Sequence, residues 1–134
     1  MLTIRWGRIA LGALVAEAVP IAALVGLVAA FGPGVETEDK LLAARLGRWI
    51  GPLGGSLMCF LAALWVTRRL VAYQILHGIL LGVAAALLDC GLLLASGAAF
   101  EWIFVVSNAG RIGAGAVGGI VASHGWHRRT NGCS

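Results

Sequence analysis

Four stretches of this chain are apolar on every side for about 20 residues, the length a helix needs to cross a hydrocarbon core of about 30 Å. Lipid offers no water to the backbone, so each peptide group must find its partner within the segment. Blocks of this kind therefore read as transmembrane helices. The first runs from Ile9 to Phe31 and contains one ionisable residue, Glu17. The second, Trp49 to Thr67, contains none, the third, Leu70 to Gly97, contains His77 and Asp89, and the fourth, Trp102 to Ser123, contains Arg111. The reading is an all-α polytopic membrane protein, one domain over residues 1–134, with four helices in an up-down bundle. Composition agrees: charged residues are 12% of the chain, where a soluble domain carries about 25%.

The tryptophans mark the same boundaries independently. Trp6, Trp49, Trp65, Trp102 and Trp126 each fall at or just beyond a span end, and Tyr73 lies near the start of the third. Amphipathic rings favour the headgroup level. Basic residues then set the orientation. Arg5 and Arg8 precede the first span, Arg68 and Arg69 fill the turn between the second and third, and Arg128 and Arg129 follow the fourth. These flanks share one side. The opposite side carries Glu36, Glu38, Asp39, Lys40, Arg45 and Arg48, nearly balanced, and Ser96 to Glu101, with no basic residue. The positive-inside rule puts both termini in the cytoplasm, and the expected location is a bacterial inner membrane. The net charge of +4 belongs to membrane edges and predicts lipid contact, not nucleic-acid binding.

The N-terminal apolar run is about 23 residues, longer than the ~7–15 of a cleaved signal, and it holds Glu17 and Pro20, so it reads as a retained helix. Cys59 and Cys90 lie within spans and Cys133 in the tail, which suggests fillers and one exposed thiol, without a disulfide framework. Thr37 is placed to cap a short helix over Glu38–Ile50, with Glu38 and Asp39 at its positive end. That helix is expected to lie at the headgroup level, as an anchor or a lid, and Gly51-Pro52 is expected to bend it into the second span.

Small residues set the packing, because lipid gives no hydrophobic drive for helix association. Gly78, Gly82, Ala85, Asp89 and Ser96 form one stripe of the third span, and Ser107, Arg111, Gly115, Gly118 and Ala122 form one stripe of the fourth, where Gly119 adds a further small residue. Each stripe carries its helix's charge. Asp89 lies about 10 residues before the turn centred on Ala98 and Ala99, and Arg111 about 12 after it, so the two reach similar depth at ~1.5 Å per residue. An unpaired charge there costs at least ~2.5 kcal/mol, which predicts an Asp89–Arg111 ion pair. The pair reads either as a folding staple or as part of a polar path. Glu17 and His77, each several residues inward from the basic side, form a second level and a candidate proton-linked site. Their bland alternative is a neutral side chain bonded to a backbone carbonyl. Ser56, Gln74 and Asn108 add weaker polarity.

Other chemistry is thin. His124, His127 and Cys133 lack a four-ligand pattern, so no metal is expected, and nothing implies a cofactor. Gly47-Arg48-Trp49-Ile50-Gly51 with Gly54-Gly55 echoes Gly110-Arg111-Ile112-Gly113 with Gly118-Gly119, and each is followed by Trp and a double Arg. Either two helical hairpins are duplicated about an axis along the membrane normal, or common small residues recur by chance.

The stretch from Gly54-Gly55 through Thr67-Arg68-Arg69 to His77-Gly78 and Gly82 resembles an uncharacterised family of small four-span bacterial integral membrane proteins. That resemblance implies topology and no activity. Leu11-Gly12-Ala13-Leu14-Val15-Ala16-Glu17 is similar to the first helix of the small multidrug resistance transporters, and Ala72-Tyr73 to a motif after their second. The likeness implies a proton-coupled role for Glu17 alone. The long first loop and Arg111 depart from that family. Three function classes follow: a non-enzymatic accessory or scaffold subunit partnered by the bilayer and by copies of itself or other membrane proteins, a small proton-coupled transporter or channel acting as an oligomer, and, least supported by any motif, a membrane enzyme.

Overall fold

Each apolar block is helical in the computed structural model, which describes residues 4–68, 70, 72–97 and 101–130, with side chains up to residue 124. Helix α1 spans Trp6–Phe31, α2 Glu36–Thr67, α3 Gln74–Ser96 and α4 Trp102–Thr130. All four are long and apolar enough to cross a membrane, and the described residues contain no strand. The chain is a multi-pass membrane protein built as a four-helix bundle. Arg69, Cys133, the turn residues Ala98 and Ala99, and the side chains of Trp126, His127, Arg128 and Arg129 lie outside the described residues.

The helix ends follow local chemistry. Gly97 adopts the left-handed conformation, φ 64°, that terminates α3 without a Cβ clash. Tyr73, φ 60°, is the one described non-glycine residue in that region, and it separates Leu70 from α3. The third helix thus begins at Gln74, four residues later than its apolar run. Its first turn is tied by Gln74 Nε2 donating to Leu70 O at 2.7 Å.

Two expectations about the first loop are corrected. Residues 38–50 are not a separate interfacial helix, because α2 continues through Gly51 and Pro52 without a break. Proline removes one backbone donor, and one lost bond in a helix of 32 residues is offset by tertiary contact. That contact runs up α1: Gly47 lies against Leu24, Gly54 against Pro20, and Gly32 against Asp39. Thr37 is not the cap either. Val35 occupies the N-cap position with no side-chain bond, and Glu36, Glu38 and Asp39 all fall in the first turn, where they suit the helix dipole.

Glycine contacts fix the register. A Cβ on Gly78 would collide with Gly115 O, one on Gly82 would lie 2.7 Å from Ile112 Cα, and one on Gly119 2.7 Å from Gln74 O. Helices α3 and α4 therefore meet backbone to backbone and antiparallel; the α3 contact follows its expected stripe at Gly78 and Gly82, whereas on α4 it runs through Ile112, Gly115 and Gly119, and Gly118 of the expected stripe faces α2. A Cβ on Gly118 would meet Ala63 Cβ and Phe60 O, each at 2.8 Å, and Gly110 faces Ser56 Oγ, so α2 and α4 run parallel. On α1, Gly12 faces Leu81 of α3 and Val66 of α2. Helices α2 and α3 also touch, whereas among the described residues the backbones of α1 and α4 do not approach each other. Both hairpins pair antiparallel, as a duplication requires. Their mutual packing is not symmetric, since α2 meets α3 while α1 does not meet α4.

Close packing is confined to one half of the bundle. The core is Ile9, Ala13, Ala16, Cys59, Ala62, Val66, Leu81 and Ala85, all toward the end that carries Trp6, Thr67 and Gln74. Beyond Pro20 on α1 and Ala86 on α3, and before Gly55 on α2, no residue of these helices is buried. In the far half, toward Phe31, Glu36 and Trp102, α1 and α2 stay in contact at Gly47–Leu24 and Gly32–Asp39, while α2 and α4 leave an open cleft between them.

Candidate functional site: a membrane-embedded arginine triad

The polar centre lies where the packed half meets the far half. Arg111 leaves α4 between Gly110 and Ile112, and its guanidinium rests on the backbone of Gly55. A methyl group at Gly55 would sit 2.8–2.9 Å from Nη2, Cζ and Nε, so only glycine leaves room for the planar head. Nε donates to Glu17 Oε1 at 2.7 Å and Nη2 to Glu17 Oε2 at 3.1 Å. Nη1 donates to Asp89 Oδ2 and Nη2 to Asp89 Oδ1, both at 3.2 Å, and Nη1 also donates to Ser107 Oγ. A guanidinium has five N–H donors, and all five are consumed here. Two bidentate forks on one arginine give both charge compensation and a fixed geometry.

The expected Asp89–Arg111 contact is therefore present, and it is half of a larger set. The route to it differs from equal depth. Arg111 lies beside Gly82, seven residues deeper than Asp89, an axial offset of about 10 Å. Side chains on a helix lean toward its N-terminus. In antiparallel helices the two lean toward each other, and arginine is long enough to close the gap. Arg111 is 2% exposed, Glu17 6%, and the Asp89 side chain 19%.

The second expected level does not form. Glu17 is bonded to Arg111 and not to His77. Gly12 and Leu81 are level, so Glu17 lies five residues to one side of that plane and His77 four to the other, about 13 Å apart along the bundle. The reason is the helix starts: α1 begins three residues earlier than its apolar run and α3 four later, which lifts Glu17 to mid-membrane and drops His77 into the first turn. His77 Nδ1 donates to Tyr73 O at 2.9 Å, because a carbonyl only accepts. Nε2 is buried with no partner among the described residues.

Sequence reasoning did not pair Glu17 with Arg111, and it missed Ser107 as an arginine ligand and Gly55 as the surface beneath the guanidinium. The helices bearing Glu17 and Arg111 do not touch, so no pairwise register links them. The available signal was arithmetic: Glu17 and Asp89 both needed a cation, and Arg111 is the one arginine within the apolar spans.

Two open cavities converge on the triad from the far half. One, of about 1060 Å³, lies between the first half of α2 and the first turns of α4, and reaches Asp89, Ser107 and Arg111. The other, of about 520 Å³, lies between α1, α2 and α3 and reaches Glu17, Asp89 and Arg111. Among the described residues, no group of three or more His, Cys, Asp or Glu side chains is placed to hold a metal ion. In formal charge the triad holds one carboxylate more than its cation. No family model, curated protein or solved structure matches this chain.

Proposed function

We propose that the chain is a non-enzymatic accessory or scaffold subunit of a membrane assembly. The observation that carries this reading is the saturation of Arg111 by its own chain. Each of its five donors is occupied by Glu17, Asp89 or Ser107, so the arginine holds helices and has no donor left for a solute. It also joins α1 to α4, two helices with no backbone contact of their own. A bundle locked in this way presents a fixed outer surface to copies of itself or to other membrane proteins. Its location in this reading is a bacterial cytoplasmic membrane with both termini inside, supported by the basic flanks, and it has no nucleic-acid partner. Extraction in mild detergent tests the proposal. A stable complex of fixed stoichiometry, whose loss impairs the assembly, supports it; a fully active monomer overturns it.

A second reading, a small proton-coupled transporter or channel acting as an oligomer, is favoured by the two cavities that reach Glu17 and Asp89. Intramembrane carboxylates open to a cavity are functional candidates. Reconstituted protein under an imposed pH gradient separates the readings. Proton-linked flux that disappears in Glu17→Gln, with folding retained, favours the transporter, and absence of flux in the parent across a broad solute panel favours the subunit.

A further inference from the structure

The larger cavity has a shape and a charge pattern that point to an occupant. Helices α2 and α4 are in contact from Gly55 and Ser56 to Ala63, where Gly110, Arg111 and Gly118 meet them. On the other side of Gly55 they part. The resulting cleft is shut at its base by Asp89, Ser107 and Arg111, at the level of Gly55, and opens toward the level of Arg48 and Glu101, about seven residues or 10 Å away along α2. Trp49, 68% exposed, and Trp102, 75% exposed, flank that opening. Tryptophans at one level mark a membrane–water boundary. The cleft therefore lies within one leaflet and is closed before the far leaflet.

A transmembrane partner helix is a poor occupant. It is about 10–12 Å across and runs the full ~30 Å of the core, so a cleft closed before the far leaflet excludes it from the base. A lipid is one leaflet tall. The wall below the opening is apolar, with Pro52 on one side and Ile103 and Phe104 on the other. At the rim Arg45 and Arg48 stand three residues apart on one face of α2. Arg45 makes no hydrogen bond or ion pair among the described residues, and Arg48 meets Glu101 at 3.4 Å with both side chains more than half exposed. Such an exposed pair is weak and leaves the arginine available. Arg111, at the base, is saturated, and Asp89 beside it is engaged with Arg111.

We propose that this cleft seats an anionic phospholipid, its phosphate between Arg45 and Arg48 and its acyl chain along Pro52, Ile103 and Phe104. The lipid fills the space where α2 and α4 separate. A pair of arginines at the headgroup level attracts an acidic headgroup by about 1 kcal/mol for each charge. The proposal is independent of whether the protein acts as a scaffold or a transporter.

The test uses the full chain in nanodiscs of equal phosphatidylglycerol and phosphatidylcholine with identical acyl chains, followed by native mass spectrometry of the released protein. The expected result is a retained phosphatidylglycerol adduct. Its ratio to phosphatidylcholine should fall about fivefold in Arg45→Gln or Arg48→Gln and about 30-fold in the double variant. Both substitutions are at exposed positions, and an unchanged elution volume of each variant in size exclusion verifies folding. Arg5→Gln/Arg8→Gln, at the other end of the bundle, should leave the ratio unchanged. Equal retention of the two lipids, or an equal fall in the Arg5/Arg8 variant, overturns the proposal by reducing the effect to general surface charge. A disulfide between two copies through Phe104→Cys at high yield in those nanodiscs also overturns it, because a second chain would then occupy the cleft.

Discussion

If Arg111 neutralises two carboxylates, removing Asp89 and Arg111 together cannot restore the bundle, because Glu17 is then left alone. A simple ion pair would behave differently, with the double change recovering most of the loss. The geometry sets the scale. Glu17 is 6% exposed and takes two of the five arginine bonds, and Asp89 takes two more. Breaking a buried pair by removing one member costs about 3–5 kcal/mol in soluble proteins. A charge at mid-bilayer costs at least about 2.5 kcal/mol. Arg111→Leu strands two carboxylates and should cost about 5 kcal/mol or more by the second figure applied twice. Asp89→Leu leaves a one-to-one Glu17–Arg111 pair and should cost about 2 kcal/mol, the loss of charge-assisted hydrogen bonds. Asp89→Leu/Arg111→Leu should stay near 3 kcal/mol below the parent, and Glu17→Leu added to it should recover most of that deficit. Reversible unfolding in mixed dodecylmaltoside and SDS micelles, followed by circular dichroism, gives these values. A double variant as stable as the triple variant would refute the triad.

Other outcomes follow from the same packing. Gly78→Ala drives a methyl group into Gly115 O, where backbone cannot yield, and should cost about 1–3 kcal/mol; Gly91→Ala, with nothing within 4 Å, should be neutral or slightly stabilising in the same assay. Gly55→Ala pushes the guanidinium off α2 and should weaken both carboxylate forks, so its effect should largely vanish in the Arg111→Leu background when the two are combined in a cycle. Reporter fusions at Arg68 should behave as cytoplasmic and fusions at Gly34 as external, and the reverse pattern would overturn the proposed orientation.

The spans were legible because a bilayer leaves the chain little choice: an apolar run of that length must be a helix, and Trp49 and Trp102 stand at its edges. The close contact of α3 with α4 was legible for a related reason, since Gly78, Gly82, Gly115 and Gly119 have no role in lipid except close approach. The first half of α2 was not. Glu36 to Arg48 is too charged to read as a span, and its continuity with the rest of the helix comes from tertiary contacts along α1 at Leu24 and Pro20. His77 was misplaced because the left-handed Tyr73 delays the helix, and no propensity argument forecasts that conformation for tyrosine. Glu17 found Arg111 across the bundle because an arginine side chain reaches further than neighbouring backbones do.

The contact that defines the triad is the carboxylate of Glu17 against the guanidinium of Arg111. Solid-state NMR of the reconstituted protein, with guanidinium nitrogen-15 and glutamate carboxyl carbon-13 labels, measures that contact directly. Arg48→Gln removes the competing contact with Glu101. In that background the expected result is strong dipolar dephasing, from two N–H···O contacts of 2.7 and 3.1 Å, that disappears on Glu17→Gln. A parent spectrum without dephasing, or dephasing that survives the loss of Glu17, would contradict the triad.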